Sequence, residues 1–135
     1  MSFARLQLGK WGEQCAVRYL RRRLYRIVAT NYSNCCGEID IIARRGTILA
    51  FVEVKTRRGT AFGSAVEAVN VRKQRQIIRT AQLYLQQHPA AGKFQPRFDV
   101  MGILLQQKLA PCVEGESEEC GGKYTVEHIV DAFGL

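Results

Sequence analysis

The stretch GEIDIIARRGTILAFVEVKTR, residues 37–57, constrains this chain more than any other. Its β-branched and aromatic residues run up to a Gly-Thr step and away from it, the pattern of two strands joined by a tight turn. Glu38, Asp40, Glu53 and Lys55 interrupt that apolar pattern. A charge set among Val, Ile and Phe is expensive unless something pairs with it. A two-residue turn at Gly46-Thr47, glycine first, suits a type II′ hairpin and sets Asp40 directly opposite Glu53. A turn centred on Arg45-Gly46 leaves the two diagonal but on one face, because only a one-residue slip moves a side chain to the other face. Lys55, two residues past Glu53, shares that face. So do Ile42 and Phe51, which argues against a face fully open to water.

Directly opposed Cβ atoms lie roughly 5 Å apart, and like charges there destabilise the pair. At an effective dielectric near 20 the repulsion is about 3 kcal/mol. Three things relieve it: a raised carboxyl pKa, an ammonium, or a bound divalent cation. Lys55 supplies one positive charge for two negatives. An Mg²⁺ ion held by Asp40, Glu53, a backbone carbonyl and waters fits the oxygen preference of that cation. The plainer alternative is an exposed sheet face on which both carboxylates pair with surface arginines.

Length and composition bound the rest. At 135 residues and 47% hydrophobic, the chain suits a single domain over 1–135 with a real core. The net charge is +8. Glu114, Glu116, Glu118 and Glu119 gather in PCVEGESEECGGK (111–123), within a polar, acidic loop expected at 108–123, and only Lys123 offsets them there; outside 111–123 the chain carries 19 basic against 8 acidic residues. Most of the basic residues are arginine, which suits phosphate, so an anionic polymer, nucleic acid, is the expected partner. The five cysteines include no C-x-x-C pair, which argues against a zinc site, and a disulfide framework is not expected in a reducing compartment. No run of 18 apolar residues suggests a membrane span, and the N-terminus lacks the apolar core of a signal peptide. A cytoplasmic location is expected.

Helical spacing of Leu6, Leu8, Trp11, Cys15, Val17, Leu20 and Leu24 predicts a helix over about 4–24. Strands follow in YRIVATNYS, EIDIIAR and TILAFVEVKT. A helix is predicted over 65–88, with Val66, Val69, Ile77, Ala81, Tyr84 and Leu85 on its apolar face. PRFDVMGILLQ and KYTVEHIVDAF close the chain as strands. The order α-β-β-β-α-β-β implies an α/β protein with one mixed sheet flanked by helices. Asp99 is expected to pair with Arg97 or a neighbouring strand, His128 to be a plain strand residue, and Trp11 and Tyr84 to belong to the core.

Asp40, twelve intervening residues and then Glu53-Val54-Lys55 resemble the PD-(D/E)xK nuclease signature, with Ile39 in place of its proline. Glu13, in GKWGE, resembles the additional helix acid of the archaeal Holliday-junction resolvases of that superfamily. GxxGE (Gly9, Gly12, Glu13), GEIDIIA, FVEVKTR, Lys73, AQLYL, RFDV and HIVDAF are together similar to the YraN-like family of small bacterial proteins, over nearly the whole chain. The 108–123 segment and the Cys35-Cys36 turn are not part of that pattern. The resemblance implies a restriction-endonuclease-like core and a metal-dependent endonuclease acting on DNA, branched or junction DNA included. Asp40 and Glu53, with the Val54 carbonyl, are then the ligands of Mg²⁺ or Mn²⁺. Lys55 orients water or meets charge on the phosphate, and Glu13 completes the site. Glu38 is read as support at the strand entry. Arg44, Arg45, Arg57, Arg58 and Lys73 are candidate phosphate contacts, and analogy with resolvases implies a homodimer. Two other readings stand beside this one. One is a catalytically silent nucleic-acid-binding module of the same fold; the other is an interaction protein whose acidic loop binds a basic partner.

Overall fold

Two helices and five strands account for most of residues 3–58, 66–105 and 124–134, which are the residues the computed structural model describes, the side chains of 3–5 and 66 aside. The order is helix α1 (Phe3–Arg22), strands β1 (Arg26–Asn34), β2 (Gly37–Arg45) and β3 (Ile48–Arg58), helix α2 (Val71–Gln87), and strands β4 (Gln95–Leu105) and β5 (Tyr124–Phe133), with short 3₁₀ turns at Val66–Ala68 and Pro89–Lys93. The strands form one sheet in chain order. Its β1–β2, β2–β3 and β4–β5 pairs are antiparallel and β3–β4 is parallel. A parallel pair needs a crossover, and α2 supplies it. The acidic 108–123 segment, with Cys112 and Cys120, lies outside the described residues.

Each helix covers one face. Beneath α1, Cys15, Ala16 and Leu20 pack with Ile41, Ala43, Ala50, Val52, Met101 and Ile103. On the other face Ile77, Ala81 and Tyr84 of α2 pack with Ile42, Leu49, Phe51, Phe98 and Val100. The alternation of Leu49 and Phe51 against Ala50 and Val52 along β3 is the period-two pattern of a strand buried on both faces. Trp11 packs against the α1-side core and Tyr84 is buried, as expected of core aromatics.

Two boundaries differ from the sequence expectation. Helix α1 closes at Arg22, and Leu24 takes a left-handed conformation (φ 69°) while the Tyr25 N–H returns to the Leu20 carbonyl. That turn throws Leu24 out to 82% exposure instead of onto the apolar face. Helix α2 begins at Val71, not near residue 65, because the Asn70 side chain accepts the Lys73 N–H and caps it there. Val69 is still buried, but from the segment before the cap. Thr80, absent from the expected apolar face, is fully buried and donates its hydroxyl to the Gln76 carbonyl.

Candidate functional site

The hairpin register is the one a type II′ turn demands. Arg45 pairs with Ile48, Ile42 with Phe51 and Ile41 with Val52. Gly46 is the turn residue at positive φ (59°), with no Cβ to strain it. The β2–β3 ladder ends at Ile41–Val52, one step before Asp40 and Glu53. Beyond that point β2 stays paired only with β1, down to Asn34–Gly37, and β3 only with β4, out to Arg58–Leu105. The sheet therefore forks, and the two carboxylates stand at the fork.

The fork frees their backbone for other work. Asp40 accepts the Val54 N–H on Oδ2 at 2.8 Å, a bond that replaces the next rung of the ladder. The N–H and C=O of one strand residue point the same way, so the Val54 carbonyl faces the same gap. Alternation breaks here as well: Ile39 packs into the α2-side core and Ile41, two residues on, into the α1-side core. Across from Asp40 on β1, Asn31 has φ 51°, a conformation asparagine tolerates.

Charges converge on this gap from both faces. Glu53, 6% exposed, lies 3.6 Å from Lys55 Nζ and 3.9 Å from Lys73 Nζ, so Lys73 reaches it from the first turn of α2. Burial, and then the neighbouring Asp40, push the Glu53 carboxyl up to about 7, and the two lysines offset only part of that rise. Burial also raises Asp40, against the Val54 N–H, a hydrogen bond from Glu53, Lys73 and Lys55. Burial thus raises both carboxyls, and the charge of Asp40 raises Glu53 further, so each ionises at the other's expense. From α1, Glu13 is raised by burial and then by Asp40, while the Asn31 side chain bonds its charged form. Glu13 can stand there because Gly12 touches β3: a Cβ on Gly12 would lie 1.8 Å from the Thr56 hydroxyl oxygen.

The structure thus brings Glu13, Asp40, Glu53, Lys55 and Lys73 together. Lys73, expected only as a phosphate contact, sits against Glu53 itself. The hairpin tip goes elsewhere. Arg44 lies over the Phe94 ring, and Arg45 over the Tyr25 ring with a hydrogen bond to the Arg23 carbonyl. At about 3.3 Å per residue, the tip is roughly 13 Å or more from Asp40 along β2. Arg57 and Arg58 end β3 in the opposite direction, and Glu38 is exposed beside Ser33 on the paired arm of β2. Sequence reasoning missed Asn31; its one signal was an asparagine amid a β-branched strand. It also passed over His128, which pairs with the buried Asp99 at 2.9 Å alongside Arg97 at 2.8 Å.

Among the described residues no three His, Cys, Asp or Glu side chains are grouped to hold a metal ion. An ion at the fork would have Asp40, Glu53 and the Val54 carbonyl from the protein, and the rest of its shell from water and substrate. That is how Mg²⁺ is usually held, by one or two carboxylates plus phosphate oxygens. The donor set is all oxygen, which suits a hard cation, and a bound ion would favour the ionised form of both carboxyls.

The comparison with other proteins is consistent over most of the chain. A family model described as "Uncharacterised protein family UPF0102" matches residues 12–103. A UPF0102 protein of Syntrophotalea carbinolica is 50% identical over 135 residues, covering 100% of this chain and 98% of that one. One from Acinetobacter baumannii strain AYE is 41% identical over 129 residues, with 96% of each chain covered. Another, from Syntrophomonas wolfei, is 39% identical over 129 residues, covering 94% of this chain and 97% of its own.

Proposed function

We propose that this chain, which belongs to the uncharacterised protein family UPF0102, is a Mg²⁺- or Mn²⁺-dependent endonuclease of the PD-(D/E)xK kind, hydrolysing phosphodiester bonds in DNA. One observation carries the reading. Two carboxyls stand together where a β-ladder ends, both raised by burial, with two ammonium groups within 4 Å of one of them. Such a site spends stability on charge, which is the mark of a functional site rather than of packing. In this reading Asp40, Glu53 and the Val54 carbonyl hold the ion. The ion supplies Lewis-acid polarisation of the scissile phosphate. Lys55 and Lys73 would meet the charge that builds on the non-bridging phosphate oxygens as water attacks and the P–O bond to the leaving sugar oxygen breaks. Glu13, a weakened acid at the rim, is suited to take the proton of the attacking water, and the leaving oxygen is protonated from solvent. The basic excess of the chain supports an anionic polymer as substrate.

Incubation of wild type and Asp40→Asn with linear, flapped and four-way DNA in Mn²⁺ tests this. Cleavage by wild type alone is expected. If neither protein cuts any substrate, the enzyme reading is lost; if both cut equally, the site is misassigned. The lack of a third grouped ligand among the described residues favours one rival, a module of the same fold that binds nucleic acid without cutting it. That rival predicts binding in every arm and product in none.

A further inference from the structure

We infer that the groove between α1 and β1 seats an unpaired nucleic-acid strand next to the carboxylate fork. The groove has a volume of about 380 Å³. Lys10, Gln14, Arg18 and Arg21 of α1 line one wall at helical spacing, and Thr30 and Asn31 of β1 line the other. Glu13 also lines it, and Asn31 on the opposite wall lies across from Asp40 in the β1–β2 register, between Thr30–Ile41 and Tyr32–Ile39, so the groove borders the site. Three of its side chains are cationic and Glu13 is its one acid. Gln14, Thr30 and Asn31 add neutral donors and acceptors. This is the chemistry of a strand path, with cations for phosphates and amides or hydroxyls for base edges. At the lower end of the roughly 300–1,000 Å³ range of small-ligand pockets, the groove is sized for a nucleotide-sized segment of one strand, and Gln14, Thr30 and Asn31 could meet Watson–Crick edges only where that strand is unpaired. DNA with an unpaired strand beside the cut is then the preferred substrate class. That the seated strand leads to a cut rests on the nuclease reading above; its binding does not.

Binding is measured by fluorescence anisotropy with wild-type protein in EDTA, using a labelled twelve-nucleotide thymidine oligomer and a blunt duplex. Lys10→Glu and Arg21→Glu are compared with Lys93→Glu, a reversal of the same size on an exposed residue beyond α2. Tighter binding of the single strand is expected. Lys10→Glu and Arg21→Glu should each weaken it about tenfold and flatten the salt dependence by about 0.7 in log–log slope, one phosphate contact; Lys93→Glu should change affinity less than twofold. A preference for blunt duplex, no loss in either groove variant, or an equal loss in all three overturns the inference. Thermal midpoints check folding, and Lys10→Gln and Arg21→Gln replace any reversal that unfolds, with a threefold loss expected and no loss overturning. The two readings fail separately. Groove binding without cleavage in Mn²⁺ leaves the groove and removes the nuclease. Cleavage indifferent to both reversals leaves the nuclease and removes the groove.

Discussion

Glu53 concentrates the physics of the site in one side chain. An ordinary glutamate ionises near 4.5, and here burial and Asp40 lift it to about 7. The folded state therefore prefers the protonated form more than the unfolded chain does. That preference contributes stability in full below pH 4.5 and is lost as pH rises through 7. At about 1.36 kcal/mol per pKa unit, the loss for a group this buried is at most about 3 kcal/mol, shared with Asp40. Metal-free protein should accordingly become easier to unfold with urea between pH 5 and pH 8. Glu53→Gln, which keeps the shape and cannot ionise, should remove most of that slope and be the more stable protein at pH 8, by about 2 kcal/mol. Parallel pH dependence in the two proteins would show that the carboxyl pair is not strained. Any cleavage activity should vanish in the same variant.

Among elements, two contacts decide whether the site can form. Helix α1 approaches β3 so closely at Gly12 that an added methyl collides with Thr56. Overpacking of this kind typically costs about 1–3 kcal/mol. Gly12→Ala should lower the thermal midpoint and, by pushing α1 off the sheet, withdraw Glu13 from Asp40. Thr56→Ala in the same chain should restore much of the loss, and failure of that rescue would place the strain elsewhere. On the same face of the sheet, Asp99 ties β4 to β5. Its carboxylate takes Arg97, His128 and the Asp131 N–H, and Arg97 also reaches the Tyr25 hydroxyl. Burial alone would raise this carboxyl, yet the bonds from His128, Arg97 and the Asp131 N–H outweigh it and hold it below the usual carboxylate range. Its contribution is therefore present above pH 4 and fades as acid protonates it. Breaking a buried pair costs about 3–5 kcal/mol, so Asp99→Asn should unfold the protein at much lower urea. A shift of under 1 kcal/mol would mean the network is incidental.

For the molecule as a whole, the forked sheet explains why a costly charge cluster survives. Core residues line both faces of β3 up to the fork, and on the α1 side they continue past it through Met101 and Ile103, opposite Val54 and Thr56, so the fold can carry an unfavourable site there. A ligand that relieves the site must then stabilise the entire chain. Mn²⁺ at a hundredfold excess over its dissociation constant adds about 2.7 kcal/mol to folding stability. Differential scanning calorimetry should record a higher midpoint for wild type with Mn²⁺ and none for Asp40→Asn. Binding should also release a proton below pH 7, because Glu53 must ionise to act as ligand. Equal shifts in the two proteins would put the ion somewhere other than the fork. No helix among the described residues is long and apolar enough to cross a membrane.

The sequence by itself determined the element order, the two hairpin registers that were possible, and the shared face of Asp40, Glu53 and Lys55. Each depends on local information: a period of two, a glycine that permits φ 59°, and a turn that sets which residues face each other. Tertiary structure alone decided that the β2–β3 ladder stops one rung early, that Asn31 comes in beside Glu13, the helix acid that the family resemblance had marked, and that Lys73 joins from the first turn of α2. It also decided that Arg44 and Arg45 spend themselves on Phe94, Tyr25 and the Arg23 carbonyl. These are contacts between residues far apart in the chain. Their geometry is set by how α1, α2 and the sheet pack, through close approaches such as Gly12 on Thr56, and no local pattern encodes the distance between two packed faces.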